Sequence, residues 1–299
     1  MRILLLGKTG QLGWELQRAL APLGKINALG PEELNLTDLD ALARQIHEFH
    51  PQIIINASAY TAVDRAEEQV DVAMRINAEA PAVMAKAAHD LNAVLIHYST
   101  DYVFDGEKDS AYTEDDPVNP LNVYGHSKLK GEQNIVAAGG AYLIFRTSWV
   151  YSLRGDSFVS KTLAWARKQE TMRIVSDQVG SPTWARMLAE ITGIVLAQSL
   201  LAPDDYFSTR GGIYHLGGSG GVSRLDLARA ILRLDPRANE QMVQRLEPAS
   251  TSDFPTSARR PLRTSLDCSR FEKSFGVQLP GWEECLSLAM GEQPTNPGP

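Results

Sequence analysis

The sequence predicts an α/β fold, a doubly wound parallel sheet with helices on both faces, followed by a smaller C-terminal α/β domain. Three observations carry this expectation. Short apolar runs alternate with stretches of helical period through the first 150 residues. A glycine-spaced turn, Gly7-Lys8-Thr9-Gly10-Gln11-Leu12-Gly13, follows the first apolar run directly. Beyond Trp149 the alternation loosens, which suits a second unit in a chain of 299 residues.

The elements follow in order. Residues 3–6 are apolar without interruption, the pattern of a strand buried on both faces. An amphipathic helix is expected over 14–23 and a second strand over 25–29. Asn35-Leu36-Thr37-Asp38 leads into a helix ending near His50, and Pro51 separates it from a strand over 52–56. Residues 73–92 are Ala-rich and helical, and 93–98 form the next strand. Pro117-Val118-Asn119-Pro120 makes a turn before a helix over 123–138 and a strand over 141–146. Further on, helices are expected over 158–168, 183–200 and 224–234, with a short strand over 211–216. Residues 248–261, rich in Ser, Thr, Pro and Arg, read as irregular, and 291–299 as a frayed tail. The division expected is 1–150 for dinucleotide binding and 151–299 mainly for substrate, with later segments able to return to the first unit.

Composition narrows the function. A net charge of −7 gives no basic footprint for nucleic acid, so a nucleotide-bearing ligand must be held by local donors. Cys268 and Cys285 are too few and too far apart for a disulfide framework or zinc cluster, and read as reduced thiols. The apolar run after Met1-Arg2 is too short for a signal peptide or membrane span. A soluble, cytoplasmic protein without membrane partners is expected.

Gly7, Gly10 and Gly13 between a strand and a helix suit a Rossmann-type dinucleotide turn. Glycine permits close backbone approach to a pyrophosphate, and the helix N-terminus supplies amide donors. The acid expected at the end of the second strand, where it would bind a ribose 2′-hydroxyl, is replaced by Gly30. That leans slightly to NADPH over NADH, although Glu32 and Glu33 follow closely. Ser99, Thr100 and Asp101 follow a strand at its carboxyl end, where ligands of open α/β sheets gather. Tyr124 and Lys128 are four residues apart, which on a helix puts phenol and ammonium on one face. A nearby ammonium would lower the phenol's pKa and make it a proton donor near neutral pH. The same spacing also suits a plain surface pair, so the pair alone leaves both readings open.

Taken jointly, the glycine turn, the Ser99/Thr100 pair and Tyr124-x-x-x-Lys128 resemble the extended short-chain dehydrogenase/reductase superfamily. Longer stretches resemble the dTDP-4-dehydrorhamnose reductase family within it. They are Asn56-Ala57-Ser58-Ala59-Tyr60-Thr61-Ala62-Val63-Asp64, Ser99-Thr100-Asp101-Tyr102-Val103-Phe104-Asp105-Gly106 and Arg146-Thr147-Ser148-Trp149-Val150-Tyr151. Asp177-Gln178-Val179-Gly180-Ser181-Pro182-Thr183, Arg260-Pro261 and Ser265-Leu266-Asp267 extend the match along the chain.

The resemblance implies NADPH- or NADH-dependent reduction of the C4 keto group of dTDP-4-dehydro-β-L-rhamnose, the step that yields dTDP-β-L-rhamnose for bacterial surface polysaccharide. It implies that Gly10, Gln11 and Leu12 touch the cofactor pyrophosphate, that Asn35 and Leu36 lie by the adenine, and that Ala59, Tyr60 and Thr61 lie along the ribose and nicotinamide. Tyr124 is implied as proton donor and Lys128 as the ligand of nicotinamide-ribose hydroxyls, with Thr100, Asp101 and Trp149 at the sugar. Asn77 matches the superfamily's helix asparagine, and an interior role suits it equally. The resemblance also implies a homodimer with magnesium at the contact, where Glu15 stands at a matching place. A dehydratase or epimerase of the same superfamily is the nearest rival, but the Asp-Glu that follows Thr in related dehydratases is Asp101-Tyr102 here. The other rival is a non-catalytic binding subunit, such as the regulatory subunit of eukaryotic methionine adenosyltransferase. It has no need of the Thr100, Tyr124 and Lys128 set.

Overall fold

The computed structural model describes residues 1–202 and 205–291. Of the tail expected to fray, only Gly291 falls within them, as the last residue of a helix; residues 292–299 lie outside the described residues. β1 (Arg2–Leu6) pairs in parallel with β2 (Lys25–Leu29) on one side and with β3 (Ile53–Asn56) on the other. β4 (Val94–Thr100) and β5 (Ala141–Thr147) extend the sheet in parallel. β6 (Thr171–Val175), β7 (Gly212–His215) and β8 (Arg245–Ala249) follow. β7 returns to the main sheet beside β5, giving the order β7-β5-β4-β3-β1-β2, while β6 and β8 form a separate parallel pair.

Helices cover both faces. On one, Ile3, Leu5, Ile55, Ile96 and Phe145 meet Leu16 and Leu20 of α1 (Gln11–Leu20). On the other, Leu4, Leu6, Ile54, Leu95 and Ile144 meet Leu42 and Ile46 of α2 (Leu39–Phe49), Met84 of α3 (Ala80–Asp90) and Ile135 of α4 (Val123–Ala138). Alternate residues of one strand thus fill two cores, as its two-residue period dictates. Each such side chain contributes about 1.5–3 kcal/mol on burial. α5 (Phe158–Ala166) packs against α7 (Arg224–Arg233), which lies on β6, and α6 (Ala185–Leu201) lies against α1. No helix among the described residues is long and apolar enough to cross a membrane.

Four local differences from the expected elements matter for the site. α1 starts at Gln11, not 14, because Gly10 takes the extended N-cap position, so Gly13 lies inside its first turn. The helical stretch expected from 73 begins at Val70 and contains a π-turn, Arg75–Glu79, that carries Asn77 inward. β4 runs on through Ser99 and Thr100, whose side chains are buried. The stretch from 183 opens as a two-residue strand, Thr183–Trp184, paired with Val150–Tyr151, before α6 begins.

The chain leaves β1 for β2 on one side and returns to β3 on the other. The loops after β1 and β3 therefore part and leave a crevice at their carboxyl ends. Gly7 stands at its edge with φ of +93°, and a Cβ there would lie 2.8 Å from the Ala57 backbone. Only glycine permits both the left-handed turn and this approach.

Candidate active site

The crevice is a cavity of about 660 Å³, a size typical of ligand pockets. Gly7, Gly10, Gln11 and Leu12 line it, as do Asn35, Leu36, Ala59 and Thr61, with Tyr124, Lys128 and Trp149 also on its wall. Gly10 caps α1 without a side-chain bond, and the first turn carries no acid. Its amides are therefore open donors beside a positive helix end, a fit for the pyrophosphate of a nicotinamide dinucleotide. Gln11 turns its side chain elsewhere, accepting from Ser152 N at 2.6 Å.

Two expected contacts change meaning. Gly13 does not line the cavity: a Cβ there would sit 2.0 Å from Gly7 O, so Gly13 lets α1 press onto the turn rather than touching a ligand. Tyr60 points its hydroxyl to Gln69 Oε1 at 2.8 Å. Its backbone is clamped by Asn77, which accepts from Tyr60 N at 2.8 Å and donates to Tyr60 O at 3.1 Å and Ser127 Oγ at 3.0 Å. Tyr60 thus holds Ala59 and Thr61 in place, and the interior role suits Asn77.

At the end of β2, Glu33 supplies the carboxylate that Gly30 lacks. One oxygen accepts from Gly30 N at 2.8 Å and the other pairs with Lys8 at 2.5 Å. The pair offers a carboxylate for a ribose 2′-hydroxyl and an ammonium for a 2′-phosphate. Glu33→Gln is expected to shift the NADPH-to-NADH preference toward NADPH by about tenfold, because repulsion of a 2′-phosphate disappears. Steady-state kinetics with each cofactor measures this.

Tyr124 lies in the first turn of α4, which Asn122 caps by accepting from Gly125 N at 2.8 Å. A Cβ on Gly125 would be 2.3 Å from Tyr102 O, so glycine lets α4 seat against the segment after β4. The Tyr102 and Tyr124 rings meet edge-on at 5.7 Å. Burial holds the Tyr124 phenol well above its usual pKa; the Thr100 hydroxyl pulls it down, and Asp101 and Tyr102 push it up. This corrects the expectation that Lys128 lowers the phenol. Lys128 instead turns to β4, donating to Tyr98 O at 2.7 Å and lying 3.2 Å from His97 Nε2. Burial lowers its own pKa to about 8, against an opposing pull from Glu132.

Asp101, expected at the sugar, has its carboxylate engaged by three hydroxyls. It is 2% exposed, and its carboxylate accepts from Ser148 Oγ at 2.8 Å, Thr264 Oγ1 at 2.5 Å and Thr100 Oγ1 at 3.1 Å. Burial outweighs these bonds and raises its pKa. Its work is to fix Thr100 beside Tyr124.

Trp149 adopts a left-handed φ of +44°, a conformation that packing must enforce. Its indole lies between Gly180, where a Cβ would be 2.5 Å from Cε2, and the Arg224 guanidinium, 3.5 Å from the ring centroid. Arg224 opens onto a second cavity of about 510 Å³, lined also by Tyr102, Arg173, Gln178, Phe254 and Arg260. Arg260 is paired with Asp64 at 2.6 Å and Arg173 with Asp253 at 2.9 Å. Arg224 makes no ion pair among the described residues, and burial lowers its pKa to about 10. It remains the cation that can meet an anion. Sequence reasoning assigned no role to Arg224, Arg173 or Gln178, and the only signal was the family-like stretches around Gln178 and Arg260. Gly180→Ala is expected to displace Trp149 and lower kcat/KM for the sugar nucleotide by about 10²-fold, the scale of a 1 Å misplacement. Cofactor affinity, read by fluorescence titration, is expected to change much less.

Glu15 lies away from this centre, 3.7 Å from Arg18, in a hollow shared with Trp14, Arg154, Arg186 and Glu190. Among the described residues no three His, Cys, Asp or Glu side chains are gathered so as to hold a metal ion. The single chain gathers no such cluster at Glu15, the place expected for magnesium at a dimer contact. Cys268 and Cys285 are free and buried, with pKa values pushed up by burial to about 12 and about 11.

The family model described as the RmlD substrate binding domain matches residues 1–293. A dTDP-4-dehydrorhamnose reductase of Burkholderia thailandensis is 42% identical over 97% of this chain and 98% of its own length. Its namesake from Escherichia coli K12 is 40% identical over 98% of each. The crystal structure of dTDP-4-dehydrorhamnose reductase from Bacillus anthracis, in complex with NADP, superposes with a TM-score of 0.88 at 32% identity, covering 98% of this chain and 99% of the other.

Proposed function

This chain belongs to the dTDP-4-dehydrorhamnose reductase family, and on that premise we propose that Tyr124, Thr100 and Lys128 carry its chemistry. The reaction is reduction of the C4 keto group of dTDP-4-dehydro-β-L-rhamnose to dTDP-β-L-rhamnose with NAD(P)H. The observation that carries the reading is that two cavities adjoin through wall residues in contact, Tyr124 with Tyr102 and Trp149 with Arg224. The glycine-turn cavity is lined by Tyr124, Lys128 and Trp149, and the arginine-lined cavity begins at Tyr102 and Arg224, which touch Tyr124 and Trp149.

The nicotinamide, when bound, supplies the hydride that reaches the sugar C4. The chain supplies the rest. Gly7, Gly10 and the first turn of α1 hold the dinucleotide, and the Asn35 and Leu36 side of the cavity receives its adenine end. Arg224 meets the diphosphate of the sugar nucleotide in the cavity that Arg173 and Arg260 also line, so residues 151–299 contribute mainly to substrate binding. Thr100 holds the C4 oxygen, and Tyr124 donates its phenolic proton as that oxygen becomes an alkoxide. A phenol kept protonated by burial suits this task, because an alkoxide is the stronger base. Lys128 is placed to hold the cofactor ribose from the same helix face. The direct test is loss of nicotinamide absorbance on adding the 4-keto sugar nucleotide. A folded, cofactor-saturated protein that consumes none would overturn the assignment.

A further inference from the structure

Behind Lys128 lies a buried chain of polar groups. His97 of β4 is fully buried. Its Nε2 lies 3.2 Å from Lys128 Nζ, and its Nδ1 lies 3.0 Å from Asn56 Nδ2 at the end of β3. Asn56, 1% exposed, accepts from Ser58 N at 3.0 Å through Oδ1. A backbone N–H can only donate, so this bond fixes the amide with its oxygen toward Ser58 and its NH₂ toward the ring. The ring must then accept at Nδ1, and a neutral imidazole that accepts at Nδ1 carries its proton on Nε2. Burial and the Lys128 charge keep His97 neutral, with its pKa well below the usual value.

That Nε2–H points at Lys128 Nζ. A neutral amine can receive it in its lone pair while donating one N–H to Tyr98 O. An ammonium has only donors, and would meet the ring donor to donor. For Lys128 to carry its charge, the ring must move its proton to Nδ1 and Asn56 must turn its oxygen to the ring. The Ser58 N–H then loses its acceptor, at a cost that favours the neutral amine. Ser58 lines the glycine-turn cavity, so the segment that pays this cost is part of its floor.

We propose that Asn56, His97 and Lys128 form one linked switch, in which the charge of Lys128, the ring tautomer of His97 and the amide orientation of Asn56 change together, making Asn56 and His97 positioning residues for Lys128. The arrangement in the structure is its neutral-amine state. The other ionisable groups facing Lys128 lie on α4: Tyr124 one turn before it and Glu132 one turn after. Glu132 is held by Arg146 of β5 at 2.7 Å and by Ser99 of β4. Glu132, though held by Arg146, still pulls the Lys128 titration upward, and the His97 ring acts from the other side through the group it directs at Nζ. The proposal rests on Lys128 as the cofactor-side lysine, but its readout needs no turnover, so the two fail separately.

The test is NMR of the full chain labelled with ¹⁵N-histidine and ¹³C-lysine. As pH rises through the Lys128 titration, the His97 proton is expected to pass from Nδ1 to Nε2. A His97 tautomer that stays constant while Lys128 titrates would overturn the proposal. Asn56→Asp supplies a second arm. Its carboxylate still accepts from Ser58 N and also accepts from Nδ1–H, which locks that tautomer at every pH. The Lys128 titration and the alkaline limb of kcat/KM are then expected to move up together by about one pH unit or more. An unmoved Lys128 titration in a folded Asn56→Asp chain would equally refute the linkage. Where that variant fails to fold, the wild-type tautomer measurement decides.

Discussion

Tyr124→Phe is expected to lower kcat by about 10²–10⁴-fold, the usual worth of a positioned general acid. The substitution removes one oxygen and keeps the ring that meets Tyr102 edge-on at 5.7 Å. The α4 N-terminus, fixed by Asn122 and by the close approach of Gly125 to Tyr102, has no reason to move. Cofactor affinity should therefore be nearly unchanged, since the dinucleotide is held by the turn after β1. Steady-state kinetics combined with NADPH fluorescence titration separates the two effects. Unaltered turnover would remove Tyr124 from the reaction, and lost NADPH binding would make it a structural residue of the cavity.

Lys128→Met is expected to pair a large loss of activity with a gain in stability. The side chain is 1% exposed, and its pKa falls from 10.5 to about 8 in the fold. The sign follows from linkage. Between about pH 8 and pH 10.5 the unfolded chain keeps a proton that the folded chain has released, so stability rises with pH across that window. Below about pH 8 the buried ammonium is a standing cost. Methionine removes it, and thermal unfolding at neutral pH should report a gain of about 1–3 kcal/mol. The gain falls short of the full linkage value because Tyr98 O loses its donor. Turnover should fall by about 10²-fold or more, and NADPH should bind more weakly. An effect confined to the KM of the sugar would contradict the place of Lys128 beside the cofactor. In the wild type, the ammonium is lost above about pH 8, so kcat/KM should decline on that side.

β1 and β3 were legible because they are buried on both faces and read as unbroken apolar runs, Ile3–Leu6 and Ile53–Ile55. β6 and the largely exposed β8 carry no such run and were not anticipated. The cavity after β1 was legible from Gly7, Gly10 and Gly13 spaced between a strand and a helix, of which Gly7 makes the close approach to Ala57. What stayed hidden depends on contacts between distant parts of the chain. Asp101 is consumed by Ser148 and Thr264, 47 and 163 residues away. Lys128 answers to the Tyr98 carbonyl on β4, 30 residues before it, and not to the tyrosine one turn away. Arg224 enters the site through Trp149, whose left-handed backbone no local pattern announced. Helical spacing placed Tyr124 and Lys128 on one face correctly, but it carried no information about how deeply the fold would bury them.

The central claim is that one hydride and one proton are delivered across a single C4–O bond, between the glycine-turn cavity and the arginine-lined cavity. Single-turnover reaction of the 4-keto sugar nucleotide with NADPH deuterated at the transferring position tests it most directly, with the product read by NMR and mass spectrometry. One deuterium at C4 of the sugar, with one cofactor oxidised per product, is the result expected. Deuterium at another ring carbon, or product formed without net cofactor oxidation, would contradict it.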